Sequence, residues 1–371
     1  MRIGVPKEIK NNENRVALTP KGAKALVNDG HEVLIQTDAG LGSGFANADY
    51  EQAGAVLTSA TDAWAADLVL KVKEPQAEEY PFLHNQILFT YLHLAGVAPN
   101  LTEQLLERQT TAIAYETVED AAGKLPLLAP MSAIAGNMAV SVGNYFLSRI
   151  HQGRGVLLGR VLDERHGKVV VLGDGVVGRH AVQRAEGIGA HTCIVGRRPE
   201  RAAEIAQTIS ADVRYVLSTP ENIAQELQTA DLVVGAVLQR GGRAPIVVTD
   251  AMVRSMKSGA VIVDVSIDQG GCVETAVPTN HANPIYVKHD VVHYCVANMP
   301  GAYPRTSTIM LTTATLPYVV RLAGEGLAAL SADTGLAKGV STFQGRLTCA
   351  AVAEALERPD TYTPLADLLS S

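Results

Sequence analysis

The residues of this chain most suited to chemistry begin with a glycine loop. "VVVLGDGVVGRH" carries Gly173, Gly175 and Gly178 in Gly-x-Gly-x-x-Gly spacing, directly after a Val-rich strand pattern and at the start of a helical one. In that setting the first glycine makes a tight turn, the second lets backbone approach a pyrophosphate, and the third allows close helix–strand packing. Backbone N–H groups at the helix start, from Val176 and Val177, then hold phosphate charge. A glycine-rich turn with no ligand is the competing reading, and the strand-turn-helix context disfavours it. The stretch "CIVGRR" bears on which dinucleotide is bound. A strand ending beside the adenosine ribose ordinarily delivers Asp or Glu to the 2′-hydroxyl. Here that place is Gly196, followed by Arg197, Arg198 and Arg201. Arginine suits a 2′-phosphate through forked, charge-assisted hydrogen bonds, although a solvated loop and helix start would carry the same residues.

Ligands of open α/β sheets bind beyond the carboxyl ends of the strands, which nominates four more residues. Asp268 follows "GAVIVDV", Arg15 lies in "NNENR", Lys73 follows "DLVLKV" and His93 follows "QILFTY". Arg and Lys would hold a substrate carboxylate, and His and Asp would move protons. Asp264, interior to its strand, reads as structural. In "KHDVVHYC" the residues His289, Asp290, His293 and Cys295 cluster, but the segment is Val-rich and extended. Its two histidines would then stand about 13 Å apart, too far to share one ion, so no metal site is expected.

These residues need strands that end on one edge. "RIGV", "EVLIQ", "DLVLKV", "QILFTYL" and "TAIAYE" alternate with helical patterns, and a second series runs from Lys168 through "KVVVLGDG", "HTCIVG", "VRYVLS", "DLVVGAVL", "GAVIVDVS" and "VVHYCVAN". Alternation of this kind implies βαβ units and mostly parallel sheets. After Thr306 the pattern turns helical, with a kink or break expected at Pro317. The fold class is therefore α/β: two doubly wound domains, one a Rossmann dinucleotide-binding domain, with long interdomain helices. The expected boundaries are 1–128 plus 305–371 for a discontinuous substrate domain and 129–304 for the dinucleotide domain. In "MSAIAGNMAVSVGNYFLSRI" the small residues Ala135, Ala139 and Gly143 recur every four positions, as in a buried interdomain helix or a subunit contact.

Composition narrows the partners. With 371 residues, 47% hydrophobic and 19% charged, the chain is long enough for two cores, and its net charge of −7 argues against nucleic acid. Its four cysteines form no Cys-x-x-Cys pair. The apolar runs Met131 to Leu147 and Ile309 to Val320 are too short to span a membrane. "MRIGVPKEIKNNENR" has no apolar signal core, so a cytoplasmic protein is expected.

The segments "MRIGVPKEIKNNENRVALTP", "KVKEP", "YLHLA", "APMSAIAGNMAV", "GKVVVLGDGVVG", "VDVSIDQGGC", "CVANMPGAYPRTST" and "LTTATLPY" resemble motifs of the alanine dehydrogenase family across most of the chain. Some are shared more loosely with the dinucleotide-binding subunit of proton-translocating transhydrogenases, the alternative reading; "YLHLA" with "SIDQGG" favours the dehydrogenase. The resemblance implies reversible oxidative deamination of L-alanine to pyruvate and ammonium. It implies that Arg15 and Lys73 bind the substrate carboxylate and that His93 and Asp268 form the acid–base pair. It also implies cofactor contacts from Ser132, the glycine loop, Ser218, Val237, Leu238, Asn298 and Met299; the strand-end residues Gly196, Arg197, Arg198, Arg201, Ile267 and Asp268 complete the candidate cofactor site. NAD is the family's default, and NADP is plausible because Gly196, Arg197 and Arg198 replace the usual aspartate. Family members are commonly homohexamers.

Overall fold

The computed structural model describes residues 1–239 and 243–369. The chain divides into two compact units, Met1–Met131 with Tyr303–Ser371, and Ser132–Ala302. The first unit holds β1 (Arg2–Val5), β2 (Glu32–Gln36), β3 (Val56–Thr58), β4 (Leu68–Leu70), β5 (Ile87–Thr90) and β6 (Thr111–Ala114). Two late strands, β16 (Val340–Phe343) and β17 (Arg346–Leu347), complete its sheet in the order β17-β16-β6-β5-β4-β1-β2-β3. Strands β1 to β6 pair in parallel, whereas β16 joins β6 antiparallel. Ile3 and Val5, Leu68 to Leu70 and Ile87 to Phe89 are all buried, the continuous apolar pattern of strands covered on both faces. From β1 the chain moves outward to β2 and β3, then returns to β4 on the other side of β1. Connections leaving the carboxyl ends of β1 and β4 thus diverge, which opens a crevice at that edge.

The helix Pro304–Glu325 runs unbroken through Pro317, so of the expected kink or break the break does not occur. A proline inside a helix costs about 3 kcal/mol. Leu311, Thr315, Val319 and Leu322 are buried along this helix, and burial of each large apolar side chain contributes about 1.5–3 kcal/mol, which outweighs that penalty.

The second unit contains β7 (Gly159–Val161) and β8 (Glu164–His166), which form a separate hairpin, followed by β9 (Lys168–Leu172), β10 (His191–Gly196), β11 (Arg214–Leu217), β12 (Leu232–Gly235), β13 (Val261–Asp264), β14 (Ile285–Lys288) and β15 (Val291–Tyr294). The sheet order is β11-β10-β9-β12-β13-β15-β14, parallel except for β14. Strand alternation sends Val169, Val171, Val234 and Val263 into one core and Val170, Leu172, Val233 and Ile262 into another. The small residues of the helix Ala129–Phe146 serve close packing within this unit. A Cβ on Gly136 would lie 2.3 Å from the Val177 carbonyl oxygen, and one on Gly143 would lie 2.5 Å from Leu232. Of the two readings of this helix, the buried one accounts for Ala139, which is fully enclosed.

Candidate functional site

The loop after β1 delivers Arg15, which is 2% exposed. A buried guanidinium needs a counterion, and Glu13 supplies it: Arg15 Nε donates to Glu13 Oε1 at 2.7 Å and Nη2 to Oε2 at 2.5 Å. Burial alone would lower the arginine's pKa, but the Glu13 carboxylate more than reverses this, so the cation is secured. Nη1 lies 3.1 Å from Met131 Sδ. The loop itself is fixed by a buried ion triad in which Lys71 Nζ donates to Glu8 at 3.0 Å and to Glu79 at 2.8 Å.

Lys73 follows β4, is buried, and sits with Nζ 5.9 Å from the centre of the Tyr91 ring. Beside it, burial would raise the Glu74 carboxyl pKa, but the charges of Lys73 and Lys10 hold it below the ordinary range. His93 follows β5 and stacks on the other partner of this arrangement, Tyr91, at 5.7 Å with the rings 2° from parallel. Its backbone is left-handed, φ 48°, a conformation that strains a side chain with a Cβ. Glu116 holds it there by accepting the His93 N–H at 2.6 Å and the Leu92 N–H at 3.3 Å, with its carboxylate 3.7 Å from Nδ1. Tyr91 is itself pinned, donating from Oη to the Leu127 carbonyl at 2.6 Å, and its electrostatic partners include Arg15. Lys73 and His93, nominated from separate loops, thus both lie against Tyr91 at the diverging edge of the first sheet, and the Arg15 charge acts on the same phenol.

In the second unit every nominated cofactor residue except Ser132 lies at or just beyond the carboxyl edge of the sheet. Gly173 adopts φ 116°, and a Cβ there would meet the Ala236 carbonyl oxygen at 2.3 Å. A Cβ on Gly178 would lie 1.8 Å from the Gly173 carbonyl oxygen, whereas one on Gly175 would meet nothing within 4 Å. Two glycines are therefore required by packing, and the middle one faces open space at the N-cap of the helix Val176–Gly187. That is the cradle a pyrophosphate needs, with Val176 and Val177 supplying the first helical N–H groups. Ser218 follows β11 and donates its N–H to the Gly196 carbonyl at 2.8 Å. Val237 and Leu238 follow β12; Ser266 locks this loop, donating to the Val237 carbonyl at 2.8 Å and accepting the Val237 N–H at 3.0 Å. Ser132 is half-buried in the first turns of the helix Ala129–Phe146.

At the end of β10, Gly196 is buried, and Arg197 and Arg198 are exposed. Arg201 is committed: Nη1 donates to the Asp174 carbonyl at 2.6 Å and lies 3.4 Å from the Asp174 carboxylate. Beyond β13, Asp268 is exposed and accepts the Asn298 N–H at 3.0 Å, and Asn298 has φ 58°. Ile267 and Met299 are buried beneath them. Asp264 organises this loop by accepting the N–H groups of Ser266, Cys272 and Val273 at 3.0, 2.9 and 3.3 Å. Burial pushes its carboxyl pKa up against those donors.

His289 and His293 have separate partners: His289 Nε2 lies 2.7 Å from Asp250, whereas His293 contacts Thr275 Oγ1 at 2.8 Å and the Val291 carbonyl at 2.9 Å. Sequence reasoning missed Glu13, Tyr91 and Glu116. A buried arginine implies a nearby acid, so Glu13 could have been found two residues from Arg15; nothing local signals that Glu116 serves His93.

Two family models match: "Alanine dehydrogenase/PNT, N-terminal domain" over residues 4–135 and "Alanine dehydrogenase/PNT, C-terminal domain" over residues 139–350. The alanine dehydrogenase of Staphylococcus epidermidis is 49% identical over 373 residues, covering 100% of both chains. That of Bacillus subtilis is 50% identical over 360 residues, covering 96% of this chain and 95% of its own. A solved L-alanine dehydrogenase superposes with a TM-score of 0.91 at 51% identity, over 96% of this chain and 99% of the other. A transhydrogenase from Sinorhizobium meliloti, at 24% identity and a TM-score of 0.79 over 94% of this chain and 100% of its own, shares the fold. With full-length identities near one half, the chain belongs to the alanine dehydrogenase family.

Proposed function

We propose that this chain is an L-alanine dehydrogenase that converts L-alanine and water to pyruvate and ammonium, reversibly, with a nicotinamide cofactor. The observation that supports it best is the placement of Lys73 and His93 against Tyr91, a phenol that also feels the Arg15 charge, in a chain with full-length alanine dehydrogenase relatives. When bound, the nicotinamide supplies the acceptor for the hydride that leaves alanine Cα. Arg15 and Lys73 bind the substrate carboxylate. The His93 imidazole removes the proton from the substrate nitrogen, and later the proton from the water that attacks the iminium carbon. Asp268 stabilises the cationic iminium and assists proton transfer. The hydride loss and the proton loss together oxidise the amine to the iminium, and water addition followed by expulsion of nitrogen gives the ketone and ammonium.

NAD is the cofactor we expect, with NADP tolerated through Gly196, Arg197 and Arg198. A homo-oligomer, a hexamer by resemblance, is supported by large apolar side chains left in solvent: Ile150 at 85%, Leu157 at 61% and Leu162 at 91% exposure. No helix among the described residues is long and apolar enough to cross a membrane, and we place the enzyme in the cytoplasm without a nucleic-acid partner. The transhydrogenase-subunit reading has the weaker support, a shared fold at 24% identity. Purified protein supplied with L-alanine and NAD or NADP tests the proposal. Reduced nicotinamide should accumulate, and no turnover with either cofactor at alkaline pH would refute it.

A further inference from the structure

We propose that Asp174, the residue between the first two glycines of the phosphate loop, has taken over the ribose-reading role that the end of β10 ordinarily fills. The proposal rests on the dinucleotide reading above and concerns which ribose is accepted: one with a free 2′-hydroxyl or one carrying a 2′-phosphate.

The volume in which a strand-end carboxylate would start is already filled. A Cβ on Gly196 would lie 2.1 Å from Tyr215 Oη and 2.8 Å from Asp174 Oδ2. An aspartate at position 196 and the present Tyr215–Asp174 pair therefore exclude each other, and the acid has arrived from the glycine loop instead of from the strand. Its orientation is built by a directional chain of donors. The Arg198 N–H donates to Tyr215 Oη at 3.1 Å, and Tyr215 Oη donates to Asp174 Oδ2 at 3.0 Å. Arg201 braces the other side, with Nη1 on the Asp174 carbonyl at 2.6 Å and 3.4 Å from Oδ1. A carboxylate so held accepts a hydrogen bond from a ribose hydroxyl and repels a phosphate dianion. Arg201 then acts as the counterion of Asp174, and the exposed Arg197 and Arg198 remain the groups through which NADP is tolerated. Asp174 is a specificity-determining residue, and Tyr215 is its positioning residue.

The test is the ratio of dissociation constants for NAD and NADP, measured by calorimetry on the full chain, with thermal melting recorded alongside. Loss of a hydrogen bond to a charged acceptor corresponds to a change of about tenfold or more, so Asp174→Asn should move the ratio toward NADP by at least about tenfold. Asp174→Ala should shift it in the same direction, and Tyr215→Phe should do so by a smaller factor, since the carboxylate stays but loses its donor. Ratios unchanged within about twofold in both Asp174 variants, at wild-type melting temperature, would overturn the proposal alone. Wild-type protein that binds neither nucleotide would overturn the dinucleotide reading and this proposal with it.

Discussion

Replacing Glu116 by alanine should separate binding from turnover. The carboxylate accepts two consecutive N–H groups, those of Leu92 and His93, and its side chain is 14% exposed. Hydrogen bonds to a charged acceptor contribute about 1.5–3 kcal/mol each, and water can replace part of that at such exposure, so a net loss of about 2–3 kcal/mol is expected. The left-handed backbone at His93 costs of order 1 kcal/mol, a strain this carboxylate offsets. Without it the turn relaxes, and the imidazole leaves its stack on Tyr91. A displacement of about 1 Å at a reacting group costs about 100-fold in rate. Glu116→Ala should therefore lower kcat for alanine about 100-fold, while KM, which we propose Arg15 and Lys73 set, changes little. Glu116→Gln keeps one oxygen acceptor and should recover part of the rate. Steady-state kinetics paired with urea unfolding reads both quantities. A variant that loses the expected stability but keeps wild-type kcat would show that this backbone support does not position the catalytic imidazole.

The open-space and packing roles of the glycine loop should come apart in mutants. Gly175→Ala meets no neighbour and should melt like wild type while binding NAD much more weakly, whereas Gly178→Ala must displace the Gly173 carbonyl and should lose about 1–3 kcal/mol of stability. Equal melting temperatures for the two would contradict this. Arg15→Lys keeps the charge but loses the fork, so KM for both alanine and pyruvate should rise about tenfold or more; an unchanged KM would remove Arg15 from carboxylate binding. Burial lowers the His293 pKa below its ordinary value of 6.5. The unfolded chain therefore binds this proton first, so the group's contribution is complete above about pH 6.5 and declines as pH falls toward the folded value. His293→Asn should flatten that part of the urea midpoint profile, and a slope identical to wild type would assign the dependence elsewhere.

What could be read from residues alone follows the range of the interactions involved. The glycine loop is local in sequence, so its strand, turn and helix were legible, as were the apolar strands of both sheets. Arg15, Lys73 and His93 were legible as strand-end polar residues, because a parallel sheet gathers its carboxyl termini on one edge. Their supports were not: Glu116 meets His93 across a strand crossover, and its sequence surroundings, "YETVED", carry no sign of it. Strands β16 and β17 were hidden in a region read as helical, because "VSTF" is short and its pairing with β6 bridges most of the chain. The exchange of acid between Gly196 and Asp174 needed coordinates, since it depends on where Tyr215 from β11 places its hydroxyl.

The antiparallel pairing of β16 with β6 also sets an order of events during synthesis. The Ala114 N–H donates to the Gly339 carbonyl at 2.7 Å, a closure that waits for residues made after all of Ser132–Ala302. The dinucleotide unit is continuous and can complete its sheet as soon as it emerges, whereas the unit carrying Arg15, Lys73 and His93 is begun first and finished last. Domains tend to fold as units while the chain is made. The nascent chain therefore acquires its glycine loop before the edge that carries Arg15, Lys73 and His93 is sealed, and the first six strands stay exposed at β6 until the last tenth of the chain arrives.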